Sequence, residues 1–342
     1  MNIKKNTPVT AWIYLTLCLI TLLDELLQTP FLAEISTALV FLFVVLEFKL
    51  VPRAQQIAGS ILITLSLIAA VISDEIYMVI VDGIGRSRIF LLLFFAISWL
   101  QFPVKQSPTL NKMRDIIISQ SSGRRFLYLA FGAHILGTVL NIAGLSLLTS
   151  IVEKQKTLAL KRSLSVILMQ GFTSASCWSP FYIGMIVVLV ALPSLDWADV
   201  APAGGVIAVC IMFSGWIVYR FSLHHARETS FKIEPQPVSS SHLGKVFLIL
   251  LSLVGIAMLA VELLKTNIPV ALALIGPSYA LIWYGSQRDS KEQLIDRYKK
   301  LIGQVIPTLP TLRNESLLFV AAHMFGVGLA SVLPSDDLSS AL

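Results

Sequence analysis

Apolar runs near the length that crosses the hydrocarbon core of a bilayer, about 20 residues, recur along this chain. They occupy about 11–23, 35–48, 55–73, 88–104, 126–152, 163–193, 201–219, 246–264, 268–285 and 315–333. With 56% hydrophobic and only 13% charged residues, 342 residues offer too little polar surface for water. The bilayer is therefore the expected solvent. Every backbone group must then be satisfied internally, which only helices and closed barrels achieve. The expected fold class is all-α, a polytopic transmembrane helical bundle of roughly nine spanning or dipping segments.

Lys and Arg gather in particular connections rather than spreading over the chain. Basic connections contain Lys49 and Arg53, then Lys105 to Arg125, Lys154 to Arg162, and the stretches 220–245 and 286–314. The connections 24–34, 74–82, 194–200 and 334–337 hold Asp or Glu and neither Lys nor Arg. Basic connections stay in the cytoplasm, which sets a cytoplasmic N-terminus in a cell inner (cytoplasmic) membrane. The net charge of +6 thus carries topology and does not indicate a nucleic-acid partner. Asp24 and Glu25 follow the first run without a small-residue cleavage site, so that run reads as a retained span. Asp24, Glu25, Asp74 and Glu75 sit at segment ends, where water is expected to reach them. Glu262 lies three residues from Lys265 and is expected to pair with it. Cys18, Cys177 and Cys210 show no metal-ligand spacing and read as packing residues.

The run 126–152 departs from the charge rule, because basic residues flank both of its ends. A re-entrant hairpin that enters from the cytoplasm and returns removes the conflict. Gly132, Gly137 and Gly144 suit the sharp turn and close backbone approach that a hairpin needs. A tilted glycine-rich helix is the other reading. His134 and Asn141 would share one face if the run is helical. Intramembrane ionisable residues are functional candidates, although a lone histidine can equally donate to a neighbouring carbonyl.

The densest chemistry lies in 163–193, about 30 residues and longer than one crossing requires. Its middle, from Gly171 to Pro180, places Thr173, Ser174, Ser176 and Ser179 in apolar surroundings. Pro180 removes a backbone donor and clashes with the preceding turn, and Gly171 weakens the helix on the other side. The pattern predicts a broken helix, two half-helices joined by a hydroxyl-lined segment. The second half-helix, starting near Pro180, would aim unpaired N–H groups at an anion. Unwound carbonyls and the hydroxyls would suit a coupling cation, Na+ or H+, as in many secondary transporters. The alternative is a proline kink whose serines bond back to their own helix.

The polar stretch 221–245 reads as a cytoplasmic linker with Pro235, Pro237 and Ser239 to Ser241. It separates a first membrane half, 1–220, from an incomplete second half, 246–342. The stretch 286–314 is expected to hold a surface amphipathic helix. Ala133-His134-Ile-Leu-Gly137 recurs as Ala322-His323-Met-Phe-Gly326 at an offset of 189 residues. If two halves are related, a partner for the segment Thr173 to Pro180 would fall beyond Leu342, and truncation is the expectation.

A glycine-rich hairpin, a Ser/Thr-rich broken helix ending in Ser179-Pro180, one more span and a polar linker resemble the ion transporter superfamily. That group includes arsenite efflux pumps, sodium/proton antiporters, and citrate and dicarboxylate carriers. The resemblance covers about 123–220 in detail. It implies an elevator-type secondary carrier, often a homodimer, with paired hairpins and broken helices. Cys177-Trp178 stands where carboxylate carriers have a Ser-Asn-Thr signature. The functional expectation is ion-coupled transport of a small anionic solute, not enzymatic activity. Its candidate groups are Thr173, Ser174, Ser176, Ser179, Pro180, Asn141 and His134, with no resident cofactor or metal. A membrane-embedded enzyme of glycan or lipid metabolism is the alternative, disfavoured because the apparent external loops are short. No GxxxxGK[ST] sequence encodes an ATP-driven mechanism.

Overall fold

Helices form where the apolar runs lie in the computed structural model, which describes residues 8–119, 122–140, 142–153, 157–192, 195–222, 240–287 and 293–332. In chain order they are α1 (Val9–Leu27), α2 (Pro30–Glu47), α3 (Arg53–Ile72), α4 (Ile76–Arg86), α5 (Arg88–Gln106), α6 (Pro108–Ser119), α7 (Ser122–Leu140) and α8 (Ile142–Glu153). There follow α9 (Leu158–Ser174), α10 (Ile183–Ala191), α11 (Trp197–Ser222), α12 (Ser240–Leu264), α13 (Ile268–Ser286), α14 (Leu294–Val305) and α15 (Arg313–Val332). Among the described residues every regular element is helical. Six segments of the described residues are long and apolar enough to cross a membrane: Val9–Leu27, Pro30–Leu50, Arg53–Ile72, Trp197–Phe221, Ile268–Ser286 and Leu294–Val332. They leave large apolar side chains such as Phe31, Val71, Phe213 and Ile282 mostly exposed. An apolar surface of that extent calls for lipid rather than water. The protein is an all-α, multi-pass membrane protein.

The chain forms two compact units, the first comprising 1–98, 272–274 and 299–342, the second 99–271 and 275–298. In the first, α15 packs along α3 and α4, and α1 pairs with α2. Small residues set the spacing. A Cβ on Gly83 would lie 2.7 Å from the Met324 Cα, so only glycine admits α15 this closely. Ser66 then donates to the Met324 carbonyl at 2.6 Å, and the Ser73 and Ser331 hydroxyls meet at 2.9 Å. Such small-residue contacts and interhelical hydrogen bonds hold helices together where lipid removes the hydrophobic drive.

Two expectations change here. Asp24 is not solvated: it is buried and paired with Arg88 at 2.7 Å, and the same guanidinium reaches Ser36 Oγ at 2.7 Å. A charge buried in this way requires its partner. Residues 76–82, read as a connection, belong to α4, whose Val79, Gly83 and Ile84 are buried. The polar residues Asp82 and Arg86 hid a helix whose packing face is only a few residues wide. The run 88–104 contributes to the protein interior, where Phe90 to Phe95 are all buried. Hydropathy does not distinguish lipid from protein interior, since both are apolar. The expected Glu262–Lys265 ion pair is present. A second buried pair, Glu47 with Arg313 at 2.6 Å, ties α2 to α15.

In the second unit, α7 and α8 fold back on each other. A Cβ on Gly144 would lie 2.6 Å from the Leu136 carbonyl oxygen. Eight residues of continuous helix would separate these positions by about 12 Å, so the chain reverses between α7 and α8. Residues 126–140 and 142–152 are therefore the two arms of a helical hairpin. Its return arm, α8, has 12 residues, about 18 Å and short of the hydrocarbon thickness. α9 packs against both arms, α11 against α9, and α6 and α12 against α7. Within 286–314 lies α14, whose Arg297 stacks over the Tyr284 ring at 4.0 Å and donates to the Tyr284 carbonyl at 3.1 Å. Most of the linker, 223–239, lies outside the described residues.

Candidate functional site

Close approach of α7 and α9 comes first, because it decides which polar groups meet. A Cβ on Gly171 would drive into the Ala130 carbonyl, 2.7 Å from its carbon and 2.8 Å from the Ala130 Cα. On the opposite helix, a Cβ on Gly137 would lie 2.8 Å from the Phe172 ring. Gly171 therefore does not end the helix, as its composition suggested. It brings α9 onto the hairpin, and the helix runs three residues further.

The break follows at once. α9 ends at Ser174, a 3-10 turn covers Ala175–Cys177, and α10 begins at Ile183. Between them the chain is held by side chains from two other helices. His134 Nδ1 lies 2.8 Å from Ser174 Oγ, and Trp178 Nε1–H donates to His134 Nε2 at 3.1 Å. An indole can only donate, so Nε2 accepts and Nδ1 carries the proton of a neutral ring. Nδ1–H then donates to Ser174 Oγ, whose own proton goes to the Gly171 carbonyl at 2.8 Å. The two rings stack with centroids 5.9 Å apart. Ser179 Oγ donates to the Thr138 carbonyl at 2.6 Å and accepts the Phe181 N–H at 3.2 Å. From α11, Trp197 Nε1 donates to the Trp178 carbonyl at 2.6 Å. Gly204 lets that helix lie against the 3-10 turn, since a Cβ there would collide with the Cys177 carbonyl.

The hydroxyls split into two groups. Ser174 and Ser179 are fully buried and bridge α7 to the break, so they serve as ties. Thr173 is exposed and Ser176 half-buried. Thr173 Oγ1 donates to the Met169 carbonyl at 2.8 Å, and Ser176 Oγ donates to the Thr173 carbonyl at 2.7 Å. This is the back-bonding that serines and threonines adopt on helices. It uses each hydroxyl's proton and leaves oxygen lone pairs on the open side. Pro180 is buried in the floor of the break. Asn141 lies outside the described residues.

The second half-helix starts three residues later than Pro180 suggested. The Tyr182 N–H is taken by the Ser179 carbonyl at 3.2 Å, which closes a turn before α10 can begin. α10 has no side-chain cap, so the amides of Ile183, Gly184 and Met185 form its uncapped end. Gly184 is exposed, and a Cβ on it would lie 3.9 Å from the Ser176 Cβ. The start of α10 thus lies beside Ser176. Beside the break, a cavity of about 370 Å3 is bordered by Ile186, Trp197 and Asp196.

Sequence reasoning missed Thr138 and Trp197. Thr138 contributes a backbone carbonyl, which no side-chain pattern signals. Trp197 carried no signal of its own, although Gly204-Gly205 about two turns later suit a close approach. Among the described residues no cluster of three His, Cys, Asp or Glu could hold a metal ion. Comparison with models of protein families, with curated proteins and with solved structures returns no match.

Proposed function

We propose that this chain is a secondary active transporter, an ion-coupled carrier of a small anionic solute in a cytoplasmic (inner) membrane, with its N-terminus in the cytoplasm. One observation carries the reading: helical structure stops at Cys177 and restarts at Ile183, and this gap is braced by bonds from α7 and α11. A broken helix in an apolar protein leaves backbone groups that lipid cannot satisfy. Bracing it from two sides, rather than letting it close into a helix, makes sense where a solute uses the exposed ends.

The roles follow from the geometry. The uncapped amides of α10 suit carboxylate or oxyanion oxygens. Thr173 and Ser176 present oxygens to a cation such as Na+, while His134, Ser174 and Ser179 hold the gap in shape. The hairpin of α7 and α8, with its short return arm, is read as re-entrant from the cytoplasmic side. The resemblance to the ion transporter superfamily, and with it an elevator motion and a homodimer, belongs to the same reading.

The test is solute-evoked current across proteoliposomes holding the purified full chain. Citrate, succinate, phosphate and arsenite would be offered with and without a Na+ or proton gradient. Current with at least one of these anions is expected from the wild type, and its loss from Ser176→Ala. No current with any anion under either gradient, or unchanged current in Ser176→Ala, would sink the reading.

A further inference from the structure

A second concavity opens on the second unit, between α9 and α11 and away from the 370 Å3 cavity. It is a groove of about 680 Å3. Along α9 its wall follows Leu158, Arg162, Val166 and Gln170, four residues apart and so on one face. From Leu158 to Gln170 this wall is about 18 Å long. Tyr219, whose ring is tilted against Phe126 with centroids 4.9 Å apart, forms the other side. Gln170 closes the inner end by donating to the Ile211 carbonyl at 2.7 Å, in space that Gly215 leaves free.

The groove is polarised. Its lining is mostly apolar, with Gln170 and Ser214 at the inner end, and Leu158, Val166 and Val218 on its rim are 82%, 60% and 61% exposed. Arg162 stands one turn in from the outer end with Ser163, and among the described residues no Asp or Glu lines the groove. Lys161 precedes Arg162, and Arg220 adjoins Tyr219, lying over the Trp216 ring at 5.7 Å. Both walls thus carry cations at the same end, where α9 begins and α11 finishes. That end is the cytoplasmic one in the topology proposed above.

We infer that this groove binds an anionic phospholipid of the cytoplasmic leaflet, its phosphate on Arg162 and one acyl chain along α9 as far as Gln170. Three features select that occupant. An apolar channel open to the hydrocarbon takes an acyl chain in preference to water. The cations at its mouth match a headgroup phosphate. The length from Arg162 to Gln170, about 12 Å, accepts the upper half of one chain. The inference rests on the membrane placement and not on the transport reading, so a failure of either leaves the other standing.

Native mass spectrometry of the delipidated full chain in detergent tests it, with phosphatidylglycerol, phosphatidylcholine and glycerol 3-phosphate as probes. Phosphatidylglycerol should bind at least about five-fold tighter than phosphatidylcholine, the gain expected from one basic contact at a membrane surface. Arg162→Gln should remove that preference, and Val166→Trp, which fills the channel from an exposed position, should weaken both lipids. If Arg162→Gln proves unstable, Val166→Trp decides alone. Equal binding of the two phospholipids, unchanged binding in Val166→Trp, or glycerol 3-phosphate displacing the lipid would overturn the inference; the last would mark a site for a soluble phosphate.

Discussion

Replacing Gly171 by alanine tests the contact that brings the hairpin and the broken helix together. The added Cβ would stand 2.7 Å from the Ala130 carbonyl carbon and 2.8 Å from its Cα. Carbon atoms rest at about 3.5–4.0 Å, and the obstacle is backbone, which cannot rotate away. α7 and α9 must therefore part by about 1 Å. Overpacking of this kind costs about 1–3 kcal/mol. The 2.8 Å bond between His134 and Ser174 would stretch beyond hydrogen-bond range, a further loss of about 1 kcal/mol. Better helix propensity of alanine offsets about 1 kcal/mol. The net expectation is destabilisation of about 1–3 kcal/mol. Gly205 is the control: it lies in α11 with nothing within 4 Å of its Cβ position, so Gly205→Ala should stabilise by up to about 1 kcal/mol. Both are measured by equilibrium unfolding of the detergent-solubilised chain in dodecyl sulfate. If Gly171→Ala unfolds at the same denaturant fraction as Gly205→Ala, the close approach of α7 and α9 is wrong.

The other predictions use the same preparation. Ser176→Ala should leave unfolding within about 0.5 kcal/mol of wild type, since only its bond to the Thr173 carbonyl is lost; Ser179→Ala, which frees the buried Thr138 carbonyl and the Phe181 amide, should cost about 1–3 kcal/mol. Arg88→Gln should cost about 3–5 kcal/mol by stranding buried Asp24, and adding Asp24→Asn should recover much of it; equal losses in the single and double variants would refute the pairing. Trp197→Phe removes the donor to the Trp178 carbonyl and should cost about 1 kcal/mol, read by the same titration.

Which of these features the sequence announced depends on whether the signal is local. The break was legible because Ser179-Pro180 disrupts its own helix, and the hairpin because its glycines and flanking charges lie within one run. Neither the start of α10 nor the destinations of the hydroxyls could be read. The turn that delays α10 depends on Ser179 satisfying two backbone groups at once, and one of these, the Thr138 carbonyl, is 41 residues away. α4 escaped notice because Asp82 and Arg86 diluted its apolar face, although Gly83 is what admits α15. Asp24 looked solvated because its partner Arg88 is 64 residues distant. Long-range polar pairing leaves no spacing pattern, and in this chain it fixes the Asp24–Arg88 and Glu47–Arg313 pairs and the braces of the break.

The repeated Ala-His-x-x-Gly segments show why a shared pattern does not transfer a role. His134 turns both nitrogens toward groups on the broken helix, Ser174 and Trp178. His323 instead bonds at Nδ1 to the Phe319 carbonyl of its own helix at 2.7 Å and packs against Phe90 at 4.9 Å. The glycines differ in the same sense, since Gly137 is pressed against Phe172 whereas Gly326 faces open space. The motif supplies a histidine on a helix that a neighbour can approach, and the neighbour decides the chemistry. His134→Ala should therefore disturb the break and any solute current that depends on it, because Trp178 Nε1–H and Ser174 Oγ lose their common partner. His323→Ala removes only a bond within one helix turn and an aromatic contact, so its effect should appear in unfolding and leave the current intact. Equal loss of current in the two variants would show that the histidines act alike, and that the bonds of His134 to the break are incidental to function.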